Sequence, residues 1–186
     1  MCDLAAPEGF AAALDAADAT LGGFDTVVVT AAMFATQEAL EADIELTRKL
    51  VTLDYANTLV FLRTRAKSVY WARGGGRLTV FSSVAGDRGR KPVAIYGSAK
   101  AGLSVYLEAL DHKYHEAGLN VLCVKPGFVK TGMTAGLKPP PFAGEPDQVA
   151  RDVVRAMDKK KGGHLHAGDL GFGHARDPLL APLRDA

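Results

Sequence analysis

Cysteine is scarce in this 186-residue chain, and charge of either sign is almost cancelled. Only Cys2 and Cys123 occur, far apart and with no C-x-x-C or C-x-x-H partner, which excludes a disulfide framework or a zinc ribbon. Reduced thiols fit a cytoplasmic protein. Lysine and arginine total 22 against 21 acidic residues, so no basic excess draws the chain to nucleic acid or an anionic membrane. No apolar run approaches the roughly 20 residues that span a bilayer, and the first ten residues lack the basic start and apolar core of a signal peptide. What is present is apolar mass, 48% of residues, enough for a packed core. Glycine, at 20 residues, exceeds the roughly 7% average and points to tight turns and close backbone approach.

Residues 7–21 put Phe10, Leu14 and Leu21 at helical spacing, with Pro7 near the first turn and Gly22-Gly23 as the stop. Residues 25–32 are a short β-branched run of the kind found in strands buried on both faces. From Gln37 to about Arg73 the pattern predicts a helix or a broken helix pair, ended by Gly74-Gly75-Gly76. Residues 77–83 repeat the buried-strand pattern, and 84–95 form a loop. A helix follows from Tyr96 to Ala117, with Gly118 as its stop, and then a strand over 120–125 closed by Pro126-Gly127. Residues 135–146 read as a mobile lid, 145–160 as a helix ending in a solvated lysine run, and 164–167 as a last short strand. Residues 168–186 show no clear period. His164 and His166 read as exposed edge residues and His112 and His115 as surface, so no metal site is expected. Strand and helix alternate, which specifies a doubly wound parallel α/β sheet with right-handed crossovers. Ligands gather at the carboxyl ends of such strands, here just after Ala32, Ser83 and Lys125.

Tyr96-x-x-x-Lys100 places a phenol and an ammonium on one helix face, a turn apart. Positive charge beside a phenol lowers its pKa and makes it a usable acid or base near neutrality. Ser83 stands where a buried strand meets a loop, with a hydroxyl able to hold a carbonyl. Between Ser83 and Tyr96, Arg88, Arg90 and Lys91 form either a solvated loop or an anion site for a phosphorylated substrate.

Ser83 with Tyr96-Gly-Ser-Ala-Lys100, the strand-ending Pro126-Gly127 and Thr131-Gly-Met133 together resemble the short-chain dehydrogenase/reductase family, in order and spacing from about Asp3 to Lys160. The resemblance implies a Rossmann-like fold and an NAD(P)-dependent oxidoreductase acting on a small carbonyl or alcohol, in a homo-oligomer. It makes Tyr96 the acid/base, Ser83 the carbonyl-positioning residue, and Lys100 the ribose ligand that lowers the tyrosine pKa. Pro126, Gly127, Val129 and Thr131 would line the nicotinamide pocket, and Asp3 and Leu4 match the family's adenine-contacting Asp-Val pair. The helix at 96–117 is apolar on more than one face through Leu103, Tyr106, Leu107, Leu110 and Tyr114, in keeping with an oligomer.

Three departures stand against that pattern. Val29-Thr30-Ala31-Ala32 replaces Asn-Asn-Ala-Gly, so only the backbone role of Ala31 and Ala32 toward the cofactor is carried over. The family's catalytic asparagine maps onto Asp54 rather than Asn57. The Thr-Gly-x-x-x-Gly-x-Gly loop that cradles a dinucleotide's pyrophosphate is absent, and the residues that choose NADH or NADPH are absent with it. At roughly 30 residues per βαβ unit, four strands plus the tail of a fifth at Asp3 make residues 1–167 a partial Rossmann domain, its first βαβα units missing. Residues 168–186 are an irregular tail. An inactive truncated remnant, acting only as a binding or assembly module, is the alternative. Within the family, the runs 82–88 and 124–138 look like the reductase subunit of decaprenylphosphoryl-ribose 2-epimerase, which implies a keto-pentose on a polyprenyl phosphate, reduced by NADH.

Overall fold

β-Branched runs separated by glycine-rich turns set the sheet. The computed structural model describes residues 2–64, 75–159 and 162–170. Within them Thr26–Val29 (β1), Gly76–Phe81 (β2), Leu119–Lys125 (β3) and Gly163–His166 (β4) form one sheet in the order β1-β2-β3-β4, each neighbouring pair parallel. Successive strand residues point to opposite faces. On β3, Val121 and Cys123 join one cluster with Leu62, Leu78, Leu103 and Leu107, while Leu122 and Val124 join another with Val149, Val153 and Leu165. Both faces of the sheet centre are therefore covered, as in a Rossmann-like α/β fold.

Helix α1, Phe10–Leu21, ends at Gly22 with φ 65°, the left-handed cap that glycine accepts without a Cβ clash. Its buried Phe10 meets Phe61 edge-on, centroids 5.3 Å apart. The long helical region is broken: α2 (Gln37–Ala42) and α3 (Ile44–Val51) meet at Asp43, whose carboxylate accepts the N–H groups of Glu45 and Leu46. A π-helical turn, Thr52–Asn57, then leads into α4 (Thr58–Arg63). The expected continuation to Arg73 and most of the glycine stop lie outside the described residues, as does the tail beyond Leu170. Ala94–Tyr114 form α5 and Pro146–Asp158 form α6.

Several expectations are corrected. The connections β1 to β2 and β2 to β3 pack on the first cluster, but α6, between β3 and β4, packs on the second. With strands added in steady order, a crossover on the opposite face has the opposite hand, so the crossovers are not uniformly right-handed. The cause is local: Val149, Val153 and Ala156 of α6 match the face of β3 and β4 that α5 leaves open. β1 is not buried on both faces, since Val28 is 47% exposed at the sheet's edge. Residues 2–6 form a turn rather than a strand tail, held by Asn57 Nδ2 donating to the Leu4 carbonyl at 2.6 Å. The five apolar residues of α5 all pack into or against the first cluster, leaving Val105 as the exposed one. No helix among the described residues is long and apolar enough to cross a membrane.

Candidate active site

The carboxyl ends of β1, β2 and β3 open onto a cavity of about 710 Å³. β2 delivers Ser82 and Ser83 to it. Ser83 caps the short turn Val84–Gly86, its Oγ accepting the Ala85 N–H at 3.1 Å. α5 passes directly over that turn. A Cβ on Gly86 would lie 2.6 Å from the Ala101 nitrogen, and one on Gly97 would lie 2.6 Å from the Ala85 carbonyl oxygen, so both positions require glycine. The hydroxyls of Ser82 and Ser104 reach the Lys100 carbonyl at 3.0 and 2.9 Å. Gln37 Oε1 accepts the Ile95 N–H at 3.1 Å, satisfying a donor in the first turn of α5. The turn that carries Tyr96 and Lys100 is thus pinned from three elements.

Ser83, Tyr96 and Lys100 all line the cavity, as their spacing predicts. Lys100 is 1% exposed, and its Nζ lies 5.6 Å from the Tyr96 ring centroid. A carboxylate stands much closer: Asp54 Oδ2 is 3.2 Å from Lys100 Nζ, with both side chains buried. The π-helical turn directs Asp54 inward, where its Oδ1 accepts the Met33 N–H at 2.7 Å. Oδ2 faces the Lys100 ammonium, so the contact is a buried ion pair.

This arrangement corrects the expected effect of Lys100. The Tyr96 phenol is pushed well above its ordinary pKa, first by burial and then by the Asp54 carboxylate, with hydrogen bonding to Ser83 pulling the other way. Burial also lowers the Lys100 ammonium against the pull of Asp54, and raises Asp54 against the pull of Lys100 and the Met33 N–H. The ammonium's charge is compensated by Asp54 before it reaches the phenol.

Among the residues expected to bind cofactor, Ala32, Pro126, Gly127, Val129 and Thr131 line the cavity; Ala31, Asp3 and Leu4 are not part of its wall. Of the basic loop, only Arg90 lines it, and the Arg90 Nε is buried without a hydrogen-bond partner. Arg88 and Lys91 lie off the wall. The expected lid supplies Leu137, Pro140 and Phe142 to the wall, and its far end is tied down by Gly144 N–H donating to the Phe128 carbonyl at 2.8 Å. Sequence reasoning missed Phe34, which meets Tyr96 edge-on at 5.2 Å, and with it Met33, Gln37, Ser82 and Ser104. Ser104 carried a usable signal: a hydroxyl four residues after Lys100, on the face that also buries Leu103 and Leu107. No group of three metal-binding side chains occurs among the described residues.

The family profile for short chain dehydrogenase matches residues 1–141. The chain is 37% identical over 155 residues to an uncharacterized oxidoreductase of Mycobacterium tuberculosis, covering 83% of this chain and 61% of that protein. It is 34% identical over 145 residues to an uncharacterized oxidoreductase of Myxococcus xanthus, covering 77% and 55% respectively. The chain therefore spans about three fifths of the length of these curated relatives. A gluconate 5-dehydrogenase from Burkholderia cenocepacia, solved with NADP and tartrate, superposes with TM-score 0.77 at 17% identity, over 90% of this chain and 72% of its own. A blue fluorescent protein from a metagenomic library, solved with NADPH, gives 0.75 at 21%, over 90% and 73%. At such identities these two likenesses bear on the fold alone.

Proposed function

The chain belongs to the short-chain dehydrogenase family, and from that premise we propose that it is an NAD(P)-dependent oxidoreductase that reduces a carbonyl to an alcohol, with Tyr96 as the proton donor. The observation that carries this reading is the meeting of Ser83, Tyr96 and Lys100 on one wall of the cavity at the sheet's carboxyl edge.

The residues present fit the nicotinamide end of a dinucleotide. Lys100 puts an ammonium at the wall for ribose hydroxyls, and Pro126, Gly127 and Val129 form an apolar shelf that ends in the Thr131 hydroxyl. Asp3 and Leu4 are assigned to the adenine end, and Ala31 to the cofactor, on resemblance alone. A bound reduced nicotinamide supplies the hydride that the carbonyl carbon accepts. Ser83 orients the carbonyl: its hydroxyl meets the Tyr96 phenol, and its contact with the Pro126 oxygen, at 3.5 Å, is weak enough to be given up to a substrate. Tyr96 then passes its phenolic proton to the carbonyl oxygen as negative charge develops there. The products are the alcohol, the oxidised dinucleotide and a Tyr96 phenolate, which regains a proton from water.

For the substrate, we propose a keto-sugar carried on a polyprenyl phosphate, with NADH as the reductant. Phe34, Phe81, Phe128, Leu137 and Phe142 supply apolar wall for the chain, and Arg90 supplies a cation for the phosphate. A homo-oligomer belongs to the same proposal, supported by exposed Val60 and Val105 on neighbouring helices. A module that binds or assembles without turnover is the competing reading.

One experiment separates the readings: calorimetric titration with NADH and NADPH, followed by cofactor consumption with a panel of ketones and keto-sugars. Dinucleotide binding with carbonyl-dependent consumption, lowered about 10²–10⁴-fold by Tyr96→Phe, supports the enzyme. Binding without consumption, or consumption that Tyr96→Phe leaves intact, contradicts it.

A further inference from the structure

We propose that Asp54 is a positioning residue that holds Lys100 in a buried ion pair and thereby keeps Tyr96 in its protonated, proton-donating form through neutral and mildly alkaline conditions. The inference rests on the reading of Tyr96 as the acid/base, and adds the share of its titration that a carboxylate contributes beside the larger effect of burial.

The geometry is specific to this chain. Asp54 stands where the family resemblance calls for a neutral asparagine amide, and its side chain is fully enclosed. One oxygen is committed to the Met33 N–H at 2.7 Å, as an amide oxygen could be. The other faces Lys100 Nζ at 3.2 Å, so this is the atom whose replacement by NH2 changes the site's charge without changing its shape. Lys100 is a turn away from Tyr96 and reaches its ring at 5.6 Å, further than it reaches Asp54. A carboxylate beyond the ammonium does two things in the same direction: it compensates the charge that would favour a phenolate, and it repels the phenolate itself.

The other titratable groups around the pair do not take over that role. From β2, Ser83 hydrogen-bonds to the phenol and opposes the effect. From β3, the Cys123 thiol acts on Lys100 but is itself held above its ordinary pKa by burial. Lys125, also on β3, is bound to Asp87 at 2.9 Å. Arg90 lies on the same cavity wall but is not among the groups that act on the Tyr96 phenol. Asp54 is thus the carboxylate paired with Lys100, and removing it should lower the Tyr96 midpoint.

The test reads Tyr96 directly, in the full chain and without cofactor. Protein labelled with 13C at the tyrosine ζ position is titrated by NMR, the Tyr96 signal being the one lost in Tyr96→Phe. The expected result is that Tyr96 ionises after the remaining tyrosines, whose ordinary value is near ~10, and that Asp54→Asn brings its midpoint down by about one pH unit or more. Asp87→Asn is the control and leaves the midpoint in place. Where carbonyl reduction is measurable, the alkaline limb of its pH profile moves with the same variant by the same amount. A midpoint unchanged by Asp54→Asn overturns the proposal. Should that variant not fold, ionisation of Tyr96 together with or before the other tyrosines in the natural chain overturns it equally. A midpoint that moves in a protein with no turnover supports the proposal and sinks the functional reading alone.

Discussion

Two lysine–aspartate pairs stand near the carboxyl edge of this sheet, one between a strand end and a loop and the other between two helical segments, and they differ in almost everything except their chemistry. Lys125 and Asp87 are closer, at 2.9 Å, with side chains 8% and 23% exposed and His166 Nδ1 a further 3.7 Å from the carboxylate. Lys100 and Asp54 are 3.2 Å apart, with exposures of 2% and 0%. Distance alone would rank the Asp87 pair as the stronger. Burial reverses the consequence, because a charge that water can reach is screened and partly replaceable, whereas an enclosed one has only its partner. Position then decides what each pair does. The half-buried pair ties the loop after β2 to the end of β3, and the enclosed pair holds a lysine of the cavity wall.

Stability gives the largest expected separation between the two. Asp54→Ala strands an ammonium in the core and is expected to cost about 3–5 kcal/mol. Asp87→Ala removes a partner that is itself 23% exposed and leaves Lys125, 8% exposed, with water nearer than Lys100 has it, and is expected to cost less, about 1–3 kcal/mol. Urea denaturation with equal slopes reads both, and equal losses would erase the distinction between the pairs. The next effect concerns Arg90, a third cation at the same edge whose Nε has no hydrogen-bond partner. Arg90→Gln is expected to raise KM for a phosphate-bearing carbonyl roughly tenfold, equivalent to about 1.4 kcal/mol, with kcat and the kinetics of neutral ketones little changed. A uniform loss on charged and neutral substrates would show Arg90 to be part of the loop's structure instead.

The sequence-level reading and the structure agree where information is local. Three strands after residue 75, the helix carrying Tyr96 and Lys100, and the convergence of Ser83 with them follow from periodicity and spacing. What was not legible depends on contacts between distant residues. Tyr96 and Lys100 announce each other by being four apart. Nothing local tells how deeply Tyr96 is buried, or places Asp54, 46 positions earlier, at 3.2 Å from Lys100; burial first and the carboxylate second reverse the expected direction of the tyrosine shift. The same reason explains Arg90: three basic residues in four positions look equivalent in sequence, and only the fold of the loop turns one of them to the wall. Val28 and the face taken by α6 also depend on what packs alongside, which the strand's own residues do not state.

The central claim, carbonyl reduction with Tyr96 as proton donor, is tested most directly by following the hydride. The chain is given reduced dinucleotide carrying deuterium at both positions of the nicotinamide C4, together with a ketone panel that includes a keto-sugar on a polyprenyl phosphate. The account predicts one deuterium on the carbinol carbon of the product, at a rate that falls about 10²–10⁴-fold in Tyr96→Phe. Dinucleotide bound by the natural chain with no deuterium in any product, or incorporation that Tyr96→Phe leaves unchanged, would contradict it.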